Sequence, residues 1–346
     1  MSSKQRERLE RQMTVTTLGM LIDFYGADMR LKNRTDDSIR TNLSHLRRFA
    51  AHSGGPDVKL ADLTPDVAQA YVEALQARQS KRDNHSTRPP EHKPLSPYSI
   101  SKTVKILRGF GAWMARDGLG NPFEELDIPT VPKTLVETLT PEEVRKLLEA
   151  INPNTPNGAR NYAMVLLMLD SGPRVSEVAE LRIRHLDLQD RQAMIMGKGR
   201  KERTIPFVQQ TAGALMRYLT TFRPQPVNPE HDHVFLSVDG YPMTRNSIEC
   251  VIRRLRDTSG VHKLHAHLLR HTFAVNFLAA GGDLETLRRI LGHESLEVTK
   301  RYLSGLQAAQ IRAMYNEFSP MDRMEVGSGE RRFSGRGIVA RRANDR

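Results

Sequence analysis

Apolar residues recur at helical spacing through the N-terminal third of the chain. In residues 14–30 and 35–52 they fall every three or four positions, which predicts two helices with one apolar face each. Thr64-Pro65 is a typical helix start, because threonine caps the N-terminus and proline fits the first turn. A fourth helix is predicted over residues 97–117. Together these segments predict a small four-helix domain.

Two polar or proline-containing stretches interrupt this helical pattern. Residues 80–96 are predicted to form an exposed loop, because they combine a polar run with several prolines. Residues 127–140 carry two prolines that disfavour helix, and Thr140 then opens a capping box with Glu143. The predicted division is a helical domain at 14–125, a linker at 126–139, a second domain at 140–318 and a disordered basic tail at 319–346.

The second domain is predicted to combine helices with one β-hairpin. An almost wholly apolar helix covers residues 159–170, and RQAMIMG and ERTIPF flank a KGRK turn as two strands. Further helical segments are predicted at 209–221, 244–257, 267–280, 283–291 and 295–304. Asp283 and Ser295 are N-cap candidates for the last two. Residues 306–318 add a short helix with a broad apolar stripe, which must pack on its own domain or on a neighbour. The predicted fold class is mainly α with a small β-hairpin.

Charge adds a class of partner to this picture. The 346 residues carry a formal net charge of +12, which favours nucleic acid because each neutralised phosphate releases counterions. A solvated cationic surface is one alternative. An anionic membrane surface is another, but the sequence has no basic amphipathic helix with bulky aromatics to dock there. No apolar run approaches the ~18 residues of a membrane span. A charged N-terminus and the single cysteine, Cys250, predict a cytoplasmic protein without disulfides.

Six reactive side chains stand out in the second domain. They are Arg174, Lys198, His267, Arg270, His293 and Tyr302. His267 and Arg270 are three positions apart, so they share one face of a helix. These residue types suit phosphoryl transfer, which needs a nucleophile, stabilisation of charge on the non-bridging oxygens and a proton for the leaving oxygen.

Each residue type has a place in that chemistry. The two arginines could clamp the non-bridging oxygens, because a guanidinium binds phosphate bidentately and stays charged. The two histidines could donate to the same oxygens or exchange protons. Lys198 could deliver a proton to a leaving 5′ oxygen. Tyr302 could attack the phosphorus and form a covalent phosphotyrosine.

Taken one at a time, these residues have plainer interpretations. A helical arginine is usually solvated or salt-bridged, a single histidine is usually a capping or core residue, and Tyr302 alone would be a packing residue. Four histidines could suggest zinc, namely His262, His265, His267 and His271. The glutamate of an HExxH pattern and a cysteine pair are missing, and so is the GxxxxGK[ST] pattern of a nucleotide loop. We therefore expect neither a metal nor a cofactor.

In combination, the motifs resemble those of the tyrosine recombinase, or phage integrase, family. SGPRVSEVAEL, around Arg174, is similar to the family's first arginine box, and GKGRKERTIPF is similar to its hairpin lysine motif. LLRHTFAVNFLAAGGDLETLRRILGHESLEVTKRYL is similar to its second box. The resemblance covers roughly residues 135–318 and is Xer-like or integrase-like. The helical N-terminal region resembles the family's core-binding domain in layout only.

The resemblance implies a two-domain C-clamp on double-stranded DNA, with a helical core-binding (SAM-like) domain and an α+β catalytic domain. It implies that Tyr302 attacks a scissile phosphate to give a 3′-phosphotyrosyl bond and a free 5′ hydroxyl. It assigns phosphate binding and activation to Arg174, His267, Arg270 and His293. Lys198 is then the general acid, and Glu177 resembles the acidic residue that orients the site. The chemistry needs neither ATP nor metal. The family works as a tetramer through a four-way junction and exchanges a C-terminal helix, here 306–318, between subunits.

Two other functions could share this scaffold. A DNA-binding structural or regulatory protein would use it without strand exchange, which the presence of all six reactive residue types disfavours. A type IB topoisomerase-like enzyme would use the same chemistry without exchanging partners, which the terminal helix and the wording of the boxes disfavour. The sequence leaves open the target site, the mobile element or chromosomal process, the directionality factors, and whether a second recombinase or an accessory factor takes part.

Overall fold

The chain divides into two compact units, Met1–Lys133 and Thr134–Arg346. The computed structural model describes residues 16–78, 93–132, 135–197, 202–306, 310–312 and 315. The division falls inside the predicted linker 126–139, although Leu126 belongs to the first core and Leu139 to the second. Lys198, most of the predicted 80–96 loop and the predicted 319–346 tail lie outside the described residues.

The N-terminal unit contains the four helices that the sequence predicts. Their bounds are α1 Leu18–Leu31, α2 Asp36–His52, α3 Pro65–Ala77 and α4 Pro97–Arg116, with a 3₁₀ turn at Leu60–Asp62. Each α-helix follows a serine or threonine whose hydroxyl accepts a backbone N–H three positions on, and Thr64 is one of these caps. The cap prediction at Thr64 is therefore confirmed.

Aromatic rings fill the centre of the N-terminal unit. Phe49 lies edge-on to Tyr71 and Phe123, with ring centroids 5.3 and 5.2 Å apart. Phe110 makes a similar contact with Tyr25 at 5.3 Å. Edge-to-face pairs contribute ~0.5–1.5 kcal/mol beyond the area they bury. The apolar faces of the four helices therefore meet in one core.

The C-terminal unit is mostly helical as well. Its helices are α5 Pro141–Glu149, α6 Pro156–Ser171, α7 Val175–Ala179, α8 Gln209–Arg217, α9 Arg245–Ser259, α10 Ala266–Ala279, α11 Leu284–Leu291 and α12 Leu296–Lys300. Shorter turns are the 3₁₀ segments Ile183–His185 and Arg301–Gly305 and the π-turn Tyr218–Phe222. The predicted capping box is confirmed, because Glu143 N–H donates to Thr140 Oγ1 at 3.2 Å and Thr140 N–H donates to Glu143 Oε2 at 2.8 Å.

A small antiparallel sheet lies between α7 and α8 along the chain. Its strands are β1 Leu186–Asp187, β2 Gln192–Met196 and β3 Glu202–Pro206, in the order β1-β2-β3. The register pairs Ala193 with Ile205 and Ile195 with Arg203. The predicted hairpin is confirmed, whereas β1 was missed because two residues are too few for an alternating pattern. Arg203 and the fully buried Ile205 are two positions apart, so they share the inward face of β3.

The middle of the C-terminal unit is α6, the helix predicted from the apolar run at 159–170. Met164, Val165, Leu167 and Met168 are each 0 % exposed. A helix that is apolar all round must be enclosed by other elements. The turn that follows α6 therefore starts from a rigid position, and the candidate site begins at that turn.

The C-terminal end of the unit differs in detail from its prediction. Asp283 caps α11 by accepting the Thr286 N–H at 2.8 Å, whereas Ser295 makes no side-chain cap bond. Ser295 does occupy the N-cap position of the five-residue helix α12, as predicted, but without the hydrogen bond that a capping hydroxyl usually makes. The predicted helix 295–304 ends at Lys300 and tightens into the 3₁₀ segment Arg301–Gly305.

Most of the predicted terminal helix 306–318 lies outside the described residues. Leu306 packs on the core of the C-terminal unit. Residues 310–312 and 315 are helical, with Ile311 53 % and Tyr315 62 % exposed. Within the described ranges, no helix has the length and apolarity to cross a bilayer.

Candidate active site

The turn between α6 and α7 forms one wall of the site. Gly172 ends α6 in the left-handed conformation (φ 62°), where a Cβ would lie 2.5 Å from the Phe273 ring. Arg174 then takes the N-cap position of α7. Glu177 accepts the Arg174 backbone N–H at 2.6 Å and its Nη1 at 2.8 Å. The Arg174 side chain is 33 % exposed and that of Glu177 only 3 %. The turn thus fixes a solvent-accessible guanidinium over a buried carboxylate.

Glu177 has a second, more deeply placed arginine partner. Arg203, on β3, donates from Nη1 to Oε1 and from Nη2 to Oε2, both at 2.8 Å. Burial raises the pKa of Glu177, but the hydrogen bonds and charge of Arg203, followed by those of Arg174, outweigh it and hold the pKa below its usual value. The carboxylate is therefore ionised and shared by two guanidinium groups.

Arg203 also reaches the turn after α11. Its Nε donates to the Ile290 carbonyl at 2.8 Å. Gly292 follows with φ 64°, and a Cβ there would lie 2.8 Å from Cδ, Nε and Nη1 of Arg203. Glycine is therefore required at this position for two reasons. It adopts the left-handed backbone conformation without strain, and it leaves the space that Arg203 occupies.

Arg270 lies at the centre of the site. It projects from α10 and is only 3 % exposed. Its Nη1 donates to the Gly172 carbonyl at 2.6 Å, and its Nη2 donates to the Leu291 carbonyl at 2.8 Å. Desolvation, and after it the charge of Arg174, lower the Arg270 pKa to about 10. Arg270 therefore stays charged near neutral pH and joins the turn before Arg174 to the turn before His293.

His293 contacts Arg270 with one ring nitrogen and Thr299 with the other. Arg270 Nη2 lies 3.0 Å from Nε2, and Thr299 Oγ1 lies 2.9 Å from Nδ1. A guanidinium can only donate, so Nε2 accepts and Nδ1 carries the proton. Burial, then Arg270 and Arg174, lower the His293 pKa to about 4. Arg288 supports the same turn by donating to the His293 carbonyl at 2.8 Å. The imidazole is therefore neutral in this arrangement.

Tyr302 lies against this group with only 2 % of its surface exposed. Its ring stacks on His293 with centroids 6.1 Å apart and planes inclined by 10°. The His271 ring lies edge-on at 5.7 Å, and the Arg301 guanidinium carbon lies 5.6 Å from the centre of the Tyr302 ring. Tyr302 is also close enough to Arg270 to raise the Arg270 pKa slightly against the larger lowering effects. Tyr302 therefore belongs to the same group as His293 and Arg270.

His267 lies at the edge of the site, where a cleft opens. The cleft, of about 550 Å³, is lined by Arg174, His265 and His267 and by the α9 arginines Arg245, Arg253 and Arg256. The His267 side chain is exposed, and its pKa is lowered by desolvation and then by Arg270, His265 and Arg174. The cleft is therefore a cationic approach that ends at Arg174.

The lowered pKa values of the site histidines share one electrostatic cause besides burial. His271 has its pKa lowered to about 4 by burial and then by Arg301, and His267 and His293 shift in the same direction. Each of these shifts includes repulsion from neighbouring arginines. A region where cations destabilise one another is a region that favours a bound anion.

The structure brings four of the six predicted residues into one connected group. These are Arg174, Arg270, His293 and Tyr302. His267 borders the cleft beside Arg174, and Lys198 lies outside the described residues. In the described part of the chain, no cluster of three or more histidine, cysteine or acidic residues could hold a metal.

Sequence reasoning missed two residues of this site. Arg203 stands at an inward position of an alternating strand, where an arginine needs a buried partner, and that signal could have found it. His271 was considered only as a zinc ligand, yet it contacts Tyr302. The sequence signal that could have identified His271 is its position four residues after His267, which places both on one helix face.

A family model and several relatives match most of the C-terminal unit or most of the chain. The phage integrase family model matches residues 137–308. The tyrosine recombinase XerC of Staphylococcus carnosus (strain TM300) is 34 % identical over 298 residues, which cover 85 % of this chain and 92 % of that protein. Tyrosine recombinase XerC 2 of Ralstonia nicotianae (strain ATCC BAA-1114 / GMI1000) is 31 % identical over 318 residues, which cover 90 % of this chain and 86 % of that protein. The chain therefore belongs to the phage integrase family, whose members include the tyrosine recombinases.

Solved structures share the fold. The Tn1549 transposon integrase, in complex with a circular intermediate DNA, matches with a TM-score of 0.66 at 18 % identity, over 88 % of this chain and 99 % of that chain. A λ integrase dimer bound to a core site matches with a TM-score of 0.65 at 16 % identity, over 85 % of this chain and 97 % of that chain. The predicted class, two domains of mainly α structure with a small sheet, is confirmed.

Proposed function

We propose that this member of the family is a site-specific DNA recombinase that cleaves and rejoins strands through a covalent phosphotyrosine. One observation carries the proposal: a buried tyrosine, Tyr302, lies within a group of arginines and histidines whose mutual repulsion favours an anion. A DNA phosphate supplies that anion. The net charge of +12 favours the same partner.

The proposed reaction exchanges one phosphodiester for another. The Tyr302 oxygen attacks the scissile phosphorus, a P–O bond to tyrosine forms, and the bond to the 5′ oxygen breaks. The phenol loses its proton and the leaving 5′ oxygen gains one, so the products are a 3′-phosphotyrosyl bond and a free 5′ hydroxyl. The number of ester bonds is unchanged, so the reverse attack by the 5′ hydroxyl of a partner strand rejoins DNA. No ATP, metal or other cofactor is required by this scheme.

The two arginines would stabilise the charge that grows on the non-bridging oxygens. Arg174 is accessible and Arg270 is buried, and the backbone of Gly172 joins them. Because both side chains are held before DNA arrives, little reorganisation is needed as the charge develops. Each such group is commonly worth ~3–4 kcal/mol of transition-state stabilisation.

The histidines and Lys198 would handle protons. His293 Nε2 accepts from Arg270 in the free protein, so it can donate to a phosphate oxygen only after that bond breaks and Nε2 gains a proton. A phosphate next to Arg270 would promote both changes, because its negative charge raises the pKa of the imidazole. His267 would donate from the cleft side. We assign general acid catalysis to Lys198 from its sequence motif.

Both units would bind DNA, the N-terminal one (14–125) as a core-binding domain and the C-terminal one (140–318) as the catalytic domain. Exposed cations on α2 and α4 of the N-terminal unit, such as Arg40, Lys102 and Lys105, suit phosphate contacts. We place the enzyme in the cytoplasm, on the nucleoid.

Strand exchange would require a tetramer on two duplexes. The surface around the nucleophile supports such contacts, because Leu296, Val298 and Leu303 are 40 %, 47 % and 45 % exposed. Large apolar side chains exposed within one short segment suit a protein partner. We propose that the 306–318 helix of a neighbouring subunit covers this face.

A nicked suicide substrate tests the proposed function. A duplex selected by binding from a random library is nicked so that the cleaved strand is lost and the covalent intermediate accumulates. We expect the protein to give an adduct that survives denaturing electrophoresis, and Tyr302→Phe to bind the duplex without forming it. Tyr218→Phe is the matched control, because Tyr218 is also buried but bonds Leu236 N–H away from the site. An adduct formed by Tyr302→Phe would overturn the assignment.

A further inference from the structure

We propose that Arg203 is a positioning residue for the phosphate-binding group, holding Glu177 beneath Arg174 and tying both to the turn that carries His293. The inference rests on the proposed function, because it concerns the same site. It adds a residue to that site, since Arg203 is outside the six residues assigned to the chemistry. Arg203 acts through its neighbours and is given no contact with the phosphate.

The geometry joins three elements through one side chain. From β3, the Nη1 and Nη2 of Arg203 bind both oxygens of Glu177 on α7 at 2.8 Å. The Nε of the same guanidinium binds the Ile290 carbonyl at the end of α11, also at 2.8 Å. All three nitrogens are therefore used, two to hold Glu177 and one to hold the end of α11.

Burial makes these bonds rigid. The Arg203 side chain is 12 % exposed and that of Glu177 is 3 % exposed. A bidentate arginine–carboxylate pair sets distance and orientation together, whereas the ammonium of a lysine is a point charge. Lysine at position 203 could therefore replace the charge, but not the fork or the bond to Ile290.

The neighbouring backbone is shaped around this side chain. A Cβ on Gly292 would lie 2.8 Å from three atoms of Arg203, so only glycine leaves room for it. The residue after Gly292 is His293, whose Nε2 meets Arg270. A displacement of Arg203 would therefore move both ends of the site, Arg174 and His293.

The charge of Arg203 keeps Glu177 able to accept. The charged groups that face Glu177 are Arg174 on its own helix, Arg203 on β3 and Arg270 on α10. Burial raises the pKa of Glu177, and Arg203 is the largest opposing influence. Without Arg203, protonation of Glu177 becomes easier as pH falls, and a protonated carboxyl holds the Arg174 guanidinium less well.

The test compares two substitutions, Arg203→Gln and Arg203→Lys, in single-turnover cleavage of the nicked duplex. We expect Arg203→Gln to cleave about 100-fold more slowly with DNA binding changed by no more than about threefold, the pattern of lost positioning. Arg203→Lys should recover part of the rate. If Arg203→Gln does not fold, the cleavage rate of Arg203→Lys alone is compared with that of the wild type. The matched control is Arg182→Gln, which removes a partly buried arginine paired with Asp232 outside the site.

Two further readouts separate positioning from general loss of stability. The ratio of wild-type to Arg203→Gln rates should rise as pH falls, because Glu177 gains a proton more easily in the variant. In a Glu177→Gln background the same ratio should be smaller and independent of pH, since the coupled residues act as one unit.

Each outcome decides the inference. It is overturned if the wild type forms the adduct while Arg203→Gln, or Arg203→Lys where only that variant folds, cleaves within about threefold of Arg182→Gln. It is also overturned if the Glu177→Gln background leaves the ratio and its pH dependence unchanged. If the wild type itself forms no adduct on a selected duplex, the proposed function fails, which is a different result.

Discussion

Cations are used in two contrasting ways in the two units. In the N-terminal unit they are at the surface, and Arg40, for example, is 78 % exposed. In the C-terminal unit, Arg270 is 3 % exposed and the Arg203 side chain 12 %. An exposed cation pays little desolvation cost and acts through a screened field. A buried one is tolerated only with its hydrogen bonds satisfied. Under the proposed function, the first set would attract DNA and the second would position one phosphate.

The buried set is satisfied in two different ways. Arg270 donates to the carbonyls of Gly172 and Leu291, which are neutral, whereas Arg203 pairs with the ionised Glu177. Among the described residues Arg270 has no ion-pair partner, and Glu177 offsets its charge only in part. A bound phosphate would neutralise that charge.

Loss of Arg270 should have the largest effect. Arg270→Ala is expected to slow cleavage by about 10²–10³-fold, because it removes a preorganised charge from the phosphate. It should also lower the free energy of unfolding by about 1–3 kcal/mol, because two buried carbonyls lose their donor. The measurements are single-turnover cleavage and urea unfolding.

Arg160→Ala sharpens this test. Arg160 is 7 % exposed and donates to the Leu236 carbonyl at 3.0 Å, away from the site. It should lose a similar free energy of unfolding without the cleavage defect. Equal cleavage losses in the two variants would mean that Arg270 matters only for stability.

A methyl group at Gly292 should have the next largest effect. Gly292→Ala strains a left-handed residue by about 1–2 kcal/mol and also displaces Arg203, so we expect cleavage to slow about tenfold. Gly260→Ala is the control, because Gly260 has φ 70° but no atom within 4 Å of its Cβ position. Both variants should lose stability, Gly292→Ala the more of the two because it also displaces Arg203, and only Gly292→Ala should lose cleavage. Equal cleavage rates would contradict the packing argument.

Acid should destabilise both units through different histidines. His45 in the N-terminal unit and His271 in the C-terminal unit have their pKa lowered to about 4, first by burial and then by nearby cations. The unfolded chain binds protons near pH 6.5, so the folded state is favoured above about pH 6.5 and loses this stability as pH falls towards about 4.

The single tryptophan, Trp113, allows the two units to be separated, because it lies in the N-terminal unit. Urea midpoints followed by Trp113 fluorescence should depend less on pH in His45→Gln and should keep their wild-type dependence in His271→Gln. An unchanged pH dependence in His45→Gln would show that this histidine is not the acid-sensitive group.

Removal of a surface cation should have the smallest effect. Lys102→Ala is expected to weaken DNA binding a few-fold and to lower the slope of log affinity against log salt by about 0.9 for one lost phosphate contact. Cleavage at saturating DNA should not change. A cleavage defect that persists at saturating DNA would show that this surface cation also acts in the cleavage step, as the buried cations are proposed to do.

The sequence predicted those parts of the fold that depend on local patterns. Thr140 and Glu143 cap α5 as their spacing indicates, and the apolar run at 159–170 is the buried helix α6. The hairpin of β2 and β3 followed from its turn residues. Such features are encoded over a few positions, so one sequence is enough to find them.

The rest of the site depends on contacts between distant positions. Arg203 and Ile290 are 87 residues apart, and no local sequence pattern predicts the hydrogen bond between them. The 3₁₀ turn at Tyr302 replaces the end of a predicted helix because tertiary packing decides the last turn. Lys198 stays a prediction.

The central claim is that Tyr302 becomes the residue linked to DNA, and peptide mapping tests it most directly. The trapped adduct is digested with trypsin and a nuclease, and the peptide that carries the nucleotide is sequenced by mass spectrometry. We expect a phosphodiester on Tyr302. A nucleotide on Tyr315 or on any other side chain would contradict it.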